Sequence, residues 1–116
     1  MNLTLLKCKI HRATVTLSNL TYEGSIGIDK ALMDKAGLLP NERVDILDIN
    51  NGERFSTYVI ESPAGSGAIE INGAAARLVQ PGDLVIICAY VGLEAEMAKQ
   101  WQPTIVHVDN KNKATN

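Results

Sequence analysis

Residues 3–17, LTLLKCKIHRATVTL, alternate loosely between apolar and polar positions and are rich in Thr, Val, Leu and Ile. A period of two in β-branched residues predicts one long strand, or two in succession. Asn19 to Ser25 interrupts that pattern, and Ile26 to Ile28 resumes it as a short strand. Asp29 is then placed to cap a helix over Lys30 to Ala36, which Gly37 ends. Arg43 to Ile49 and Glu53 to Ile60 read as two antiparallel strands around the tight turn Asn50-Asn51-Gly52, the strongest local signal in the chain. Pro63 to Gly67 reads as a loop, Ala68 to Ile71 as a strand, and Asn72-Gly73 as a turn into a small-residue helix, Ala74 to Leu78. Pro81-Gly82-Asp83 turns the chain into its most apolar strand, Leu84 to Val91. Leu93 to Trp101 predicts a last helix and Thr104 to Val108 a last strand, so that residues 1–108 form one domain and 109–116 a polar, disordered tail.

A faint internal repeat runs through these elements. A short helix near Leu38-Leu39 leads through a turn to Val44-Asp45-Ile46, and forty positions later Leu78-Val79 leads through a turn to Leu84-Val85-Ile86. Two strand-loop-helix-loop-strand units fit a small closed barrel with pseudo-twofold symmetry. Closure also removes the exposed edges that so many short strands would otherwise present.

Composition narrows the picture further. The chain has 116 residues, 46% of them apolar but only 4% aromatic, so its core is aliphatic. A net charge of -2 argues against nucleic acid or an anionic membrane surface as the main partner. Cys8 and Cys88 lie far apart in apolar runs and read as inert buried thiols rather than a disulfide or zinc site. No signal peptide opens the chain and no apolar run approaches the roughly 18 residues needed to cross a membrane, which places the protein in the cytoplasm.

The chemistry centres on Tyr22-Glu23-Gly24-Ser25. Gly24 leaves its carbonyl carbon unshielded, and the Ser25 hydroxyl is one rotation away from it. A strained bond with an oxyanion donor beside it would let the hydroxyl attack backwards and convert the amide to an ester. Elimination would then free a carboxyl end at Gly24, and loss of ammonia to water would leave a pyruvoyl group at position 25. Gly-Ser is also ordinary turn material, and a second pair stands at Gly65-Ser66. The cations Lys7, Lys9 and Arg12 precede the first pair with Glu23 as the only carboxylate up to that point. Lys7 and Arg12 read as solvated charges on a strand face. Arg54 can grip a carboxylate through two parallel hydrogen bonds.

The segments Lys9-Ile10-His11-Arg12-Ala13-Thr14-Val15-Thr16, Tyr22-Glu23-Gly24-Ser25, Asn51-Gly52-Glu53-Arg54-Phe55-Ser56-Thr57-Tyr58 and Ile71-Asn72-Gly73-Ala74-Ala75-Ala76 together resemble the pyruvoyl-dependent aspartate 1-decarboxylases, in order and spacing, over nearly the whole chain. The resemblance implies a mainly β fold, a small closed six-stranded double-psi β-barrel with short helices, in a homotetramer with active sites between subunits. It implies self-cleavage into a β chain, 1–24, and an α chain, 25–116. The covalent pyruvoyl cofactor from Ser25 would then form a Schiff base with L-aspartate and release CO2 and β-alanine for pantothenate synthesis, with no external cofactor and no metal. In some relatives a maturation factor assists cleavage.

The same resemblance assigns roles residue by residue. Lys9 and Arg54 hold substrate carboxylates; the Thr57 hydroxyl stabilises the oxyanion formed as Ser25 attacks Gly24; Tyr58 returns a proton after carboxylate loss. Asn72, Gly73, Ala74 and Ala75 line the substrate pocket, and Tyr22 and His11 support processing or shape the site. Leu47 stands where some relatives carry Trp. One geometric difficulty is visible in advance: Arg54 and Tyr58 face one way on a regular strand and Thr57 the other, which requires a bulge, a strand crossing the barrel mouth, or a site shared between subunits. Two other readings compete. One is a decarboxylase of a different small acid, and the other a non-catalytic β-barrel that binds DNA or a regulatory partner.

Overall fold

The computed structural model describes residues 1–116. Its elements in order are β1 (Asn2–Thr14), β2 (Leu17–Asn19), β3 (Ser25–Asp29), α1 (Lys30–Ala36), β4 (Arg43–Asp48), β5 (Arg54–Ser62), β6 (Ile69–Asn72), a 3-10 turn (Gly73–Leu78), β7 (Leu84–Glu94), α2 (Ala95–Ala98) and β8 (Thr104–His107). The strands hydrogen-bond in the order β2-β6-β3-β5-β4-β7-β1-β8. β1 and β2 are separated by two residues only, so one stretch of chain serves both ends of this order. Across the gap Val15 donates to the Asp83 carbonyl at 2.9 Å and Thr16 to the Ile69 carbonyl at 2.8 Å. Six strands, with β1 and β2 counted together, thereby wrap into a barrel, and β8 adds in parallel to the outside of β1.

Alternation delivers the core. Val44 and Ile46 of β4, Val59 of β5, Ile26 and Ile28 of β3, Ile69 and Ile71 of β6, and Val85 and Ile87 of β7 all point inward and are buried. The cluster of 20 buried residues is aliphatic, with Cys8 as a small buried thiol among them, and burial raises the pKa of both Cys8 and Cys88. At about 25 cal/mol per Å² of apolar surface removed from water, each buried isoleucine contributes on the order of 2 kcal/mol.

The helix caps as its sequence dictates. Asp29 accepts from Ala31 N at 2.8 Å, and Gly37 closes α1 in the left-handed region at φ 80° with its N–H on the Met33 carbonyl. The 48–53 turn holds through Asp48, whose Oδ1 accepts from Asn50 N and Asn51 N at 2.8 and 3.2 Å. Gly52 adopts the positive φ, 79°, that this turn needs.

Four expectations are corrected. Leu17–Asn19 is a strand of its own, formed because β6 offers it a parallel edge. The helix expected over Leu93 to Trp101 shrinks to Ala95–Ala98, because β7 continues in register with β1 out to Glu94 and holds the preceding residues extended. The last eight residues fold back: Asn112 is 1% exposed, its Oδ1 accepts from Thr14 N, and its Nδ2 donates to the Thr14 and Gly67 carbonyls. A polar side chain that pairs with three main-chain groups reads as disorder in sequence and as a clasp in space. Finally, Lys7 is no free surface charge; its Nζ donates to the Gly37 carbonyl at 2.7 Å and pairs with Glu42 at 2.8 Å.

Candidate active site

Ser25 opens β3 and is 1% exposed, although it follows an exposed turn. The cause lies in the pairing of β3 with β6, where Ser25 stands directly opposite Asn72. The Ser25 hydroxyl donates to the Glu23 carbonyl at 3.0 Å and accepts from Asn72 Nδ2 at 3.1 Å. A nucleophile is thus fixed beside the peptide group it would attack, its proton and one lone pair both accounted for. Gly24 itself is exposed and has open space where a side chain would stand.

Gly73 explains why the turn lies where it does. It sits at φ 75°, and a β-carbon there would approach Gly24 Cα to 2.6 Å and Gly24 N to 2.7 Å. Main chain therefore rests on main chain next to the Gly24–Ser25 bond, a contact that a side chain at position 73 would prevent. Ala74 and Ala75 follow on the 3-10 turn, Ala74 exposed and Ala75 packed against the core. Tyr22 is 54% exposed and shares with Asn72, Ser62 and Glu70 the wall of a cavity of 340 Å³.

β5 runs parallel to β3 with Ile26 beside Val59, which brings Tyr58 alongside Ser25. Tyr58 is 38% exposed and its hydroxyl makes no hydrogen bond within the chain. The β4–β5 register continues unbroken from Arg43 opposite Tyr58 to Leu47 opposite Arg54, which removes the bulge as a solution to the facing problem. Thr57 pairs with buried Val44 and shares the side of β5 that carries Phe55 and Val59, whereas Arg54, Ser56 and Tyr58 lie on the outer side.

Arg54 is four residues from Tyr58, or about 13 Å along the strand. It lines a second cavity with Asp45, Leu47, Phe55, Ser56 and Tyr90. Asp45 there accepts from Ser56 Oγ at 2.7 Å, and Arg43 donates to the same Oγ at 3.2 Å. Arg54 has no carboxylate partner of its own, which leaves the guanidinium available. Lys9 belongs to the same outer face: it pairs across β1–β7 with Cys88, which in turn pairs with Asp45. His11, two residues on, meets His107 edge-on with ring centroids 5.6 Å apart. Burial, then the positive charges of Lys9, His107 and Arg12, lower its pKa and favour the neutral imidazole.

The chain matches the aspartate decarboxylase family over residues 1–115. It is 61% identical to the aspartate 1-decarboxylase of Pelotomaculum thermopropionicum over 97% of its own length and 86% of that protein. Identity is also 61% with the enzyme of that name from Syntrophus aciditrophicus, covering 97% of both chains, and 58% with that from Maricaulis maris, covering 97% and 93%. This chain belongs to the aspartate decarboxylase family. The barrel itself superposes on a rationally designed double-psi β-barrel protein with a TM-score of 0.50 and 17% identity, covering 70% of this chain and 94% of that one, a likeness of fold.

Placed within the aspartate decarboxylase family, the residues fall into two groups on each chain. Ser25, Gly24, Asn72, Gly73, Tyr22 and Tyr58 lie together, while Lys9 and Arg54 with His11 belong to the other part of the outer face. Sequence reasoning missed Gly27, Ser62 and Glu70, which flank the first group, and Asp45, Ser56 and Tyr90, which surround Arg54. A signal for Glu70 was available in principle, because a carboxylate inside a short apolar strand, IEIN, calls for an explanation. Nothing in the sequence shows that Gly27 leaves room for it.

Proposed function

We propose that the protein is made as a precursor, cleaves itself between Gly24 and Ser25, and then decarboxylates L-aspartate to β-alanine and CO2 for pantothenate synthesis in the cytoplasm. The observation that carries this reading is the buried Ser25 hydroxyl, held between Glu23 O and Asn72 Nδ2 beside a glycine carbonyl, in a chain that matches the family over residues 1–115. No helix is long and apolar enough to cross a membrane.

In the cleavage, Ser25 Oγ bonds to the Gly24 carbonyl carbon, the Gly24–Ser25 C–N bond breaks, and the hydroxyl proton passes to the freed nitrogen. Loss of the Ser25 α-proton then expels the Gly24 carboxylate and leaves a double bond at residue 25, whose amine is replaced by oxygen from water with release of ammonia. Asn72 orients the nucleophile, Gly73 holds Gly24, and Thr57, which the parallel β3–β5 register sets level with Gly24 as Tyr58 is level with Ser25, is the donor proposed for the oxyanion. The resulting pyruvoyl group supplies a ketone that takes up an amine and accepts electrons as a carboxylate departs.

The rest of the work falls to side chains of the protein. Arg54 grips one substrate carboxylate in a bidentate pair, Lys9 faces the other, and the free Tyr58 hydroxyl delivers a proton to the carbon that has lost CO2. Ala74, Ala75 and Asn72 bound the pocket beside residue 25, with Tyr22 above it. Because Arg54 stands about 13 Å along β5 from Tyr58, the Arg54 and Lys9 that serve one Ser25 are proposed to come from a neighbouring copy, in a homotetramer. The free outer face around Tyr58 and Tyr90 and the ribbon where β1 and β7 run on to Asn2 and Glu94 provide surface for that assembly.

Denaturing mass spectrometry of the purified protein tests the proposal. Chains 1–24 and 25–116 are expected as separate species, the second one ammonia lighter than a chain beginning with serine, and Ser25→Ala is expected to abolish both cleavage and aspartate turnover. Full activity in uncleaved protein would overturn the reading; cleavage only after addition of cell extract would bring a maturation factor into it.

A further inference from the structure

Glu70 is the one charged side chain in β6, and β6 holds it over a glycine. Gly27 pairs with Glu70 across β3–β6, two pairs along from Ser25 opposite Asn72, so the four residues share a sheet face. A β-carbon on Gly27 would lie 2.9 Å from Glu70 Oε1 and 2.7 Å from Ser62 Oγ. The absent side chain is therefore the space that the carboxylate and hydroxyl occupy. Ser62 fixes the carboxylate by donating to Oε1 at 3.1 Å. No lysine, arginine or histidine of the chain forms an ion pair with Glu70, and it is half-buried in the wall of the 340 Å³ cavity that also reaches Tyr22 and Asn72. The diagonal from Ser25 to Glu70 is about 7 Å between β-carbons, within reach of a small molecule attached or about to attach at residue 25.

A fixed, partly desolvated carboxylate without a counter-ion favours a cation beside it. We propose that Glu70 receives the ammonium group of the amino-acid substrate and so draws the amine end toward residue 25, while the cationic Lys9 and Arg54 take the carboxylates. This deepens the proposed function and rests on its dicarboxylate substrate. Charge is then distributed across the site by end: carboxylate-binding groups on the Lys9–Arg54 face, an ammonium-binding group beside Ser25. A dicarboxylate that lacks the amine gains nothing from Glu70 and is repelled by it, so the residue selects amino acids over simple diacids.

The Ser25→Ala chain, which cannot form a carbonyl, allows binding to be read without turnover. Calorimetric titration with L-aspartate and with succinate in this background, with and without Glu70→Gln, separates the ideas. Glutamine keeps the acceptor for Ser62, so folding is preserved; the expected result is about tenfold weaker aspartate binding, with succinate unchanged or tighter. Gly27→Ala, which crowds the carboxylate from outside, is expected to weaken aspartate in the same direction with Glu70 intact. If aspartate affinity is the same in Ser25→Ala and in the double variant with Glu70→Gln, the role of Glu70 is overturned while the proposed substrate stands. Failure of the Ser25→Ala chain to bind either acid, together with no aspartate turnover by the cleaved wild-type protein, would overturn the dicarboxylate reading itself.

Discussion

Asn72 donates a hydrogen bond from Nδ2 to Ser25 Oγ at 3.1 Å, across the one pair of strands that also buries the nucleophile. The same hydroxyl donates its proton to Glu23 O, so Asn72 decides which lone pair faces the Gly24 carbonyl. Asn72→Ala is expected to slow chain cleavage by about 10- to 100-fold through loss of orientation, read as the fraction of intact chain against time by mass spectrometry. Asn72→Asp presents an acceptor to an acceptor and is expected to be at least as slow. Cleavage at the normal rate in both variants would remove Asn72 from the processing machinery.

The contact of Gly73 with Gly24 makes a second prediction. Gly73→Ala places a methyl group 2.6 Å from Gly24 Cα at a backbone φ of 75°, so both the local strain and the clash act against it. A loss of about 1–3 kcal/mol in stability is expected from the backbone conformation alone, measured by chemical denaturation. Cleavage is expected to fall further than stability explains, because the turn that carries the scissile bond must move. Unchanged cleavage in a destabilised Gly73→Ala chain would show that the Gly24 position is not critical.

The pKa values of Asp29 and Asp48 are shifted in opposite directions, so the two groups act on stability in opposite senses as pH changes. Asp29 is 1% exposed; burial raises its pKa, but the backbone N–H groups of Gly67, Gly65 and Ala31 together outweigh that and lower it. Its contribution is therefore present above the unfolded-state value, about 3.9, and is lost as pH falls through the lower folded value. Asp29→Ala orphans three donors and is expected to cost on the order of 3 kcal/mol near neutral pH, with the difference from wild type shrinking in acid. For Asp48, burial and the nearby Asp83 raise the pKa above its ordinary value. That group favours the fold below its unfolded pKa and loses the advantage as pH rises through the folded one. Asp48→Asn keeps the acceptor for Asn50 and Asn51 and is expected to stabilise the protein at pH 7 by about 1 kcal/mol, with no gain at pH 3. Urea denaturation of both variants at the two pH values checks the signs.

Local rules made much of this structure legible before any coordinates. The cap at Asp29, the stop at Gly37 and the Asn50-Asn51-Gly52 turn each depend on residues within four positions of one another. The alternation in β4 and β5 likewise names its own buried face. What stayed hidden depends on distant partners: Leu17–Asn19 becomes a strand only because β6 lies beside it, Lys7 is tied to Gly37 across 30 positions, and Asn112 joins Thr14 to Gly67. The candidate site divides along the same line. Gly24, Ser25, Arg54 and Tyr58 are visible as residue types in a recognisable order. The pressure of Gly73 on Gly24 and the fit of Glu70 over Gly27 are set by strand register, which no local pattern reveals.

That register also separates Arg54 from the Ser25 of its own chain, and the consequence can be tested by mixing. Tyr58 runs beside Ser25 and Arg54 lies about 13 Å further along β5 on the same outer side, beyond the span of a four-carbon dicarboxylate attached at residue 25. Arg54→Ala alone is expected to cleave normally and lose aspartate turnover by about 10²- to 10³-fold, since the anchor is lost and the nucleophile is untouched. Ser25→Ala alone is expected neither to cleave nor to turn over substrate, yet it retains an intact Arg54. If each site combines residue 25 of one copy with Arg54 of another, co-expressing the two inactive chains creates oligomers in which some sites are complete. Activity should then return to roughly a quarter of wild type or less, depending on assembly statistics, and only in oligomers that contain both chains. Persistent inactivity of such purified mixed oligomers would place Arg54 and Ser25 in one chain's site and require a movement of β5 that its unbroken pairing with β4 does not suggest.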